Sequence, residues 1–428
     1  MTRLGLFLLA LALACTGPAA AETVAITGGR VVTMGPAGDI ADGTVVIADG
    51  RIVAVGAGVA VPPDATVIDA RGKVVTPGLV AAGTALGLVE VRMVAAADDR
   101  ATHKRDLSAA FDAGYGLNPD SLLVPVARLG GITRAIATPA YDDKGDRELP
   151  FAGQAAAVVL DGRPMLMRRG VAMVLEMGEG GAERTGGARG GELALLHALF
   201  AEVRDFKARR AAYDRGETRA YMLSRADMEA LIPVVDGRMP LLVTVNRASD
   251  IRDALAMARA ENVKLILEGV AEGWRVAGEI AAAGVPVLVT PVQNSPASFE
   301  ALGATLANAR RLAEAGVLVA IEGNGNHRER ELRYNAGNAV ASGLDWRAGL
   351  AAITINPARI FGLADRVGSL ESGKDGDVVV WDGDPLDTLT RPVAVLIRGA
   401  RQPMTSRATE LRDRYLPTVR SSAEGEIP

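Results

Sequence analysis

Cysteine is almost missing from this chain: Cys15 is the only one in 428 residues, and histidine occurs only as His103, His197 and His327. Cys15 lies in an N-terminal stretch with the form of a secretory signal. Arg3 gives the positive end, Leu4 to Ala14 the apolar run, and Ala19-Ala20-Ala21 a small-residue cleavage site before Glu22. Cleavage after Ala21 leaves no thiol, which excludes disulfides, thiolate metal ligands and a cysteine nucleophile together. Ala12-Leu13-Ala14 before Cys15 is a weak lipoprotein box, leucine being expected three positions upstream, so lipidation is the lesser alternative.

Charge of one sign is also missing. The 47 basic and 51 acidic residues leave a net charge of -4, with no basic face for nucleic acid and no acidic tail, so a small polar molecule or another protein is the expected partner. The apolar run at the N-terminus falls short of the ~20 residues a membrane span needs, and no later segment makes one. A soluble protein, periplasmic or secreted, is expected. No Gly-x-Ser-x-Gly elbow is present, and no Gly-Lys-Ser/Thr follows the glycine-rich run 178–191, which reads as a mobile loop and not a phosphate cradle.

What is there is a chain with 49% hydrophobic residues, long enough for one barrel-sized domain and a smaller one. Short β-branched runs open it: Val24-Ala25-Ile26, Thr44-Val45-Val46-Ile47 and Arg51-Ile52-Val53-Ala54-Val55, the last two joined by Asp49-Gly50, a type I′ hairpin signal. A matching unit returns at Val378-Val379-Val380-Trp381 and Val393 to Ile397, so both ends are expected to build one β-domain. Between them apolar runs at 131–138, 156–160, 241–245, 263–267, 285–290 and 317–321 alternate with helical stretches such as Ile251 to Ala260 and Arg275 to Ala283. Strands covered on both faces imply a parallel sheet, closed as a (β/α) barrel or doubly wound. Leu195 to Asp214 reads as a solvated, charged amphipathic helix.

Several of these words resemble the amidohydrolase superfamily, in its imidazolonepropionase-like and dihydroorotase-like branches. They are Gly50 to Gly56, Val67 to Gly78, Thr354-Ile355-Asn356-Pro357-Ala358 and Gly373-Lys374-Asp375-Gly376-Asp377. The resemblance implies an α/β fold: a distorted (β/α)8 TIM barrel with a small β-sandwich formed by the N- and C-terminal segments. The expected organisation is a signal peptide at 1–21, sandwich at 22–75, barrel at 76–364, sandwich again at 365–405 and a fraying tail at 406–428. It also implies a divalent ion held at the C-terminal strand ends, which makes hydroxide from bound water.

The ligands for that ion are missing wherever they are sought. The first strand of such enzymes reads P-G-x-I-D-x-H-x-H-x-G, and here the two histidine positions are Gly83 and Ala85. The lysine carried by some relatives is absent from Val174 to Glu179, His-x-His-Arg becomes Thr244-Val245-Asn246-Arg247, Glu-His-Gly becomes Glu268-Gly269-Val270, and the last-strand Asp aligns with Asn324. Glycine and alanine have no donor atom, and a neutral amide is a poor substitute for imidazole or carboxylate. No metal ligand, cofactor or catalytic residue is therefore assigned.

Asn246, Arg247, Glu268, Asn324 and His327 are the expected polar ligand contacts at the strand ends, with Gln293, Asn294 and Glu322 nearby. Glu268 and Glu322 form either a carboxylate pair or, as the blander expectation, salt bridges to Arg247 and Arg328. His197 and His103 are expected in packing or solvated positions. The function implied is a binding or partner protein without the metal centre, acting as a homo-oligomer or beside an intact amidohydrolase paralogue. The alternative is metal-independent hydrolysis of cyclic amide or N-acyl C–N bonds, with His327 as a candidate acid or base.

Overall fold

The computed structural model describes residues 23–91, 93–141, 151–162, 164–323 and 326–423, with the side chains of Arg105, Asn326, His327 and 417–423 left aside. The chain starts with β1 (Val24–Val32), β2 (Asp39–Ala48), β3 (Arg51–Ala57), β4 (Thr66–Asp69) and β5 (Val74–Pro77). Asp49 and Gly50 have φ of 54° and 73°, the positive pair that the type I′ turn between β2 and β3 requires.

Eight further strands follow: β6 (Leu79–Thr84), β7 (Ile132–Ala137), β8 (Phe151–Val159), β9 (Leu166–Glu176), β10 (Leu241–Val245), β11 (Leu265–Gly269), β12 (Val287–Val289) and β13 (Val319–Ile321). They form one sheet in chain order, and a parallel bridge between Ala82 and Glu322 brings its two edges together. The sheet is not wholly parallel, as the apolar run at 156–160 had suggested. β8 is antiparallel to both β7 and β9. Only 160–165 separates β8 from β9, too short for the helical crossover that parallel neighbours need.

The last strands, β14 (Val378–Trp381), β15 (Pro392–Ile397) and β16 (Ala400–Arg401), return to the first sheet, in the order β16-β15-β14-β5-β1-β2-β3 with β4 beside β1. Both chain ends thus build one β-domain. β14 shows why it holds to the barrel: Val378 and Val380 enter the small-domain core with Ile26 and Ile47, while Val379 and Trp381 face the barrel core.

Two other expectations change. The glycine-rich run 178–191 is not a loop throughout: it holds a short helix, Glu179–Arg184, and the start of a long one, Arg189–Ala208. Glycine's poor helix propensity hid it, but Gly181 is needed there for close packing (below). The stretch from Leu195 is helical yet not simply solvated, since Leu196, Leu199, Phe200, Val203 and Phe206 are buried. The tail includes a helix, Arg407–Ala423, and the end of the tail expected to fray lies outside the described residues.

Candidate functional site at the barrel rim

Strand periodicity builds the site. One apolar layer fills the barrel: Ala82, Val174, Leu242, Ile266, Leu288 and Ala320 all belong to one buried cluster. Two residues further along each strand, the next inward position is Glu176 on β9, Thr244 on β10 and Glu268 on β11, with Thr290 and Glu322 just past β12 and β13. On β6 a register shift between Ala81 and Thr84 inserts an extra residue, so Gly83 takes the inward place. Its φ of +64° suits glycine, and a Cβ there would lie 2.2 Å from Glu322 Oε1 and 3.1 Å from Glu268 Oε1.

Glu268 and Glu322 therefore meet over Gly83. The Thr244 hydroxyl donates to Glu268 Oε2 at 2.5 Å, and Thr290 donates to Glu322 Oε2 at 3.4 Å. The Glu322 backbone is held on both sides, its N–H donating to Val289 O at 3.0 Å and its carbonyl accepting from Asn335 Nδ2 at 2.7 Å. Burial, then the negative charge of Glu268 and a hydrogen bond to it, hold the Glu322 carboxyl well above the usual carboxylate range, against a small opposing effect of Thr290. Glu322 is the more buried partner of the two.

Glu329, in the 3-10 turn Asn326–Glu331, stands behind the pair. It is 1% exposed, and among the described residues neither carboxyl oxygen has a hydrogen-bond partner of good geometry. A Cβ on Gly323 would lie 2.1 Å from Glu329 Oε2, which places the carboxyl against the backbone that follows Glu322. Burial raises it to about 7, eased by Thr84.

A second group of acids lies on the β9 side. Glu176 pairs with Arg184 at 3.2 Å, Arg184 stacks 4.0 Å over Tyr141, and the Tyr141 hydroxyl accepts from the Glu176 N–H at 2.8 Å. Burial drives the Tyr141 hydroxyl upward. Glu192 accepts from the Gly178 N–H at 3.2 Å and is pushed up to about 7 by burial. Arg189 bridges Asp250 at 3.0 Å and Glu300 at 2.5 Å.

The blander expectation for the two rim carboxyls is corrected, because Arg247 pairs with Asp250 at 2.5 Å and Arg328 with Glu331 at 2.8 Å. Asn246 turns to the neighbouring loop, its Oδ1 accepting from the Ala271 N–H at 3.3 Å. Of the expected contacts, then, Glu268 stands at the rim while Asn246 and Arg247 support adjacent turns. Asn324 and the His327 side chain lie outside the described residues. His197 is surface-exposed against Glu261, as expected. Sequence reasoning missed Glu329 and the two threonines; the signal for Thr244 and Thr290 was their place two residues beyond an inward apolar one.

Among the described residues no group of three or more His, Cys, Asp and Glu is arranged to hold a metal ion. A groove of about 1170 Å³ opens at the opposite end, where Pro240, Lys264 and Pro286 precede their strands. We place the site at the rim, because the converging carboxyls are there and barrels of this kind carry their chemistry on that face.

A nearly closed eight-stranded barrel, joined to a sheet from both chain ends and polar at its C-terminal rim, defines the architecture as a distorted (β/α) barrel with an attached β-domain. The chain belongs to the Amidohydrolase family, whose sequence signature matches residues 189–406. A solved amidohydrolase from Thermotoga maritima is 24% identical with a TM-score of 0.79, covering 90% of this chain and 100% of its own. Molinate hydrolase is 20% identical with a TM-score of 0.55, covering 90% and 95%. The curated amidohydrolase tasK of Hapsidospora irregularis is 24% identical over 377 residues, which are 80% of this chain and 38% of that relative. The chain thus spans well under half of that relative's length.

Proposed function

We propose that this amidohydrolase-family barrel has lost the family's metal centre and binds a small polar molecule at its rim without hydrolysing it by the metal-dependent route. The observation that carries this reading is the position of Glu322, whose Oε1 crowds the place over Gly83 from which a strand-one ligand would project. The rim donors do not fit a histidine-held divalent ion. They are carboxyls and threonine hydroxyls already bonded to one another. Elemental analysis of the purified protein, beside a screen of lactams, cyclic ureas, N-acyl amino acids and dipeptides with and without chelator, tests it. No stoichiometric metal and no turnover are expected. Zinc at one per chain that survives washing overturns the reading.

A second reading, hydrolysis of non-peptide C–N bonds without metal, is favoured by the same pair, since Glu322, held above the usual carboxylate range, stands beside Glu268 as an acid beside a base. It requires chelator-resistant turnover that falls at least about a hundredfold in E268Q. Export through residues 1–21 is part of the proposal and predicts a mature protein that begins at Glu22. A partner role, with itself or beside an intact paralogue, is also part of the proposal, motivated by the retained barrel scaffold. Co-expression with such a paralogue, followed by size measurement, tests that part.

A further inference from the structure

The orientation of the two rim carboxyls carries more than their presence. Their Oε2 atoms are taken by Thr244 and Thr290, while both Oε1 atoms converge on Gly83, which has no side chain to cover them. Gly83, Thr244, Glu268 and Thr290 are half-buried, so solvent reaches this edge of the pair, whereas Glu322 and Glu329 are buried behind it. We propose that the rim is a receptor site for an organic cation, an ammonium, amidinium or guanidinium group, which seats on the Oε1 atoms of Glu268 and Glu322. This rests on the ligand-binding reading above.

An independent observation points the same way. Glu329 is covered to 1% exposure beside Gly323, with no hydrogen-bond partner of good geometry for either oxygen among the described residues. A buried carboxyl without a well-placed donor is costly, and where Glu329 ionises, its negative charge is felt at Glu322. Among the described residues, the charged groups acting on Glu322 are Glu268 from β11 and Glu329 from the 3-10 turn. The nearby cations are committed elsewhere: Arg184 to Glu176, Arg189 to Asp250 and Glu300, Arg247 to Asp250, and Arg328 to Glu331. Among the described residues the rim therefore presents acceptors and no cation that is not already paired.

Where Glu322 holds a proton, the exchange balances: the ligand arrives as a cation, the O–H bond of Glu322 breaks, the proton leaves to the buffer, and two carboxylates face one delocalised positive group. A planar amidinium or guanidinium can donate to both Oε1 atoms at once. A neutral amide of the same shape gains little from the carboxyls and displaces no proton.

Calorimetric titration of the full chain with benzamidine, methylguanidine and the neutral isostere benzamide, in two buffers of different ionisation enthalpy, tests this at mildly acidic pH. Benzamidine or methylguanidine is expected to saturate with close to one proton released per ligand. Benzamide is expected to bind at least about tenfold more weakly. E322Q, whose fold is checked by circular dichroism, should lose the proton release. The wild-type proton count decides the matter even where that variant fails to fold. The proposal is overturned if neither cation saturates at millimolar concentration, if benzamide binds as well as benzamidine, or if folded E322Q still releases a proton. Calcium or magnesium alone, binding and excluding benzamidine, also overturns it in favour of an inorganic ion. Amide turnover without metal would sink the non-catalytic reading and leave these binding results intact, so the two failures are distinguishable.

Discussion

Glu329 makes the protein's stability depend on pH in a direction opposite to that of most carboxylates. Burial raises it from an ordinary 4.5 to about 7, so the folded state holds its proton more tightly than the unfolded chain. Its contribution is complete below about pH 4.5 and is lost as pH rises through about 7. Two and a half units correspond to roughly 3 kcal/mol. Urea unfolding followed from pH 4.5 to 8 should therefore show E329Q with a flatter decline than the wild type. Parallel curves would mean that Glu329 titrates alike in both states. Gly83 offers a second test at this scale. G83A places a methyl group against Glu322 Oε1 and keeps a left-handed φ, which alone costs about 1 to 2 kcal/mol. In a cycle with E322A the clash disappears, and a coupling energy of about 1 kcal/mol or more is expected. Strict additivity would remove the contact.

At the scale of elements, the glycine-rich run separates propensity from packing. Gly181 and Gly190 both lie in helices, and helix propensity favours alanine at each by about 1 kcal/mol. A Cβ on Gly181 would lie 2.0 Å from Glu192 Oε1 and 2.3 Å from Glu176 O, whereas at Gly190 nothing lies within 4 Å. G181A should lower stability by about 2 kcal/mol and G190A raise it slightly, read by thermal melts of both variants. This contrast also explains what was legible in the sequence. Strands such as β10 and β11 announced themselves as apolar runs, and Asp49-Gly50 announced its hairpin, because those signals are local. The helix at Glu179–Arg184 was hidden, since its glycines are chosen by carboxyls that arrive from Glu176 and Glu192. The rim was half legible: Glu268 could be read from its place at the end of an apolar run. The meeting of Glu268 with Glu322 depends on barrel closure and a bulge that periodicity does not reveal.

For the molecule as a whole, Arg134 ties barrel to sheet. It is fully buried on β7, donating to Asp377 at 2.6 Å and Asp375 at 3.0 Å, which gives the Gly373-Lys374-Asp375-Gly376-Asp377 word its structural purpose. R134M should destabilise the protein by about 3 to 5 kcal/mol in urea unfolding, because it leaves buried Asp377 with only the Arg398 N–H and Asp375 with Arg366 as its remaining arginine partner. A loss below about 1 kcal/mol would show that apolar contacts such as Trp381 suffice to hold the two sheets.

The bulge at Gly83 also bears on how this lineage can change. A histidine placed there by a single substitution would meet a left-handed backbone and the carboxyl of Glu322 in the same step. A ligating side chain could project from this place only after β6 had shed its extra residue and Glu322 had moved. Two coupled changes, one of backbone register and one of a neighbouring carboxyl, therefore stand between this strand and any single-step gain of a side-chain ligand there.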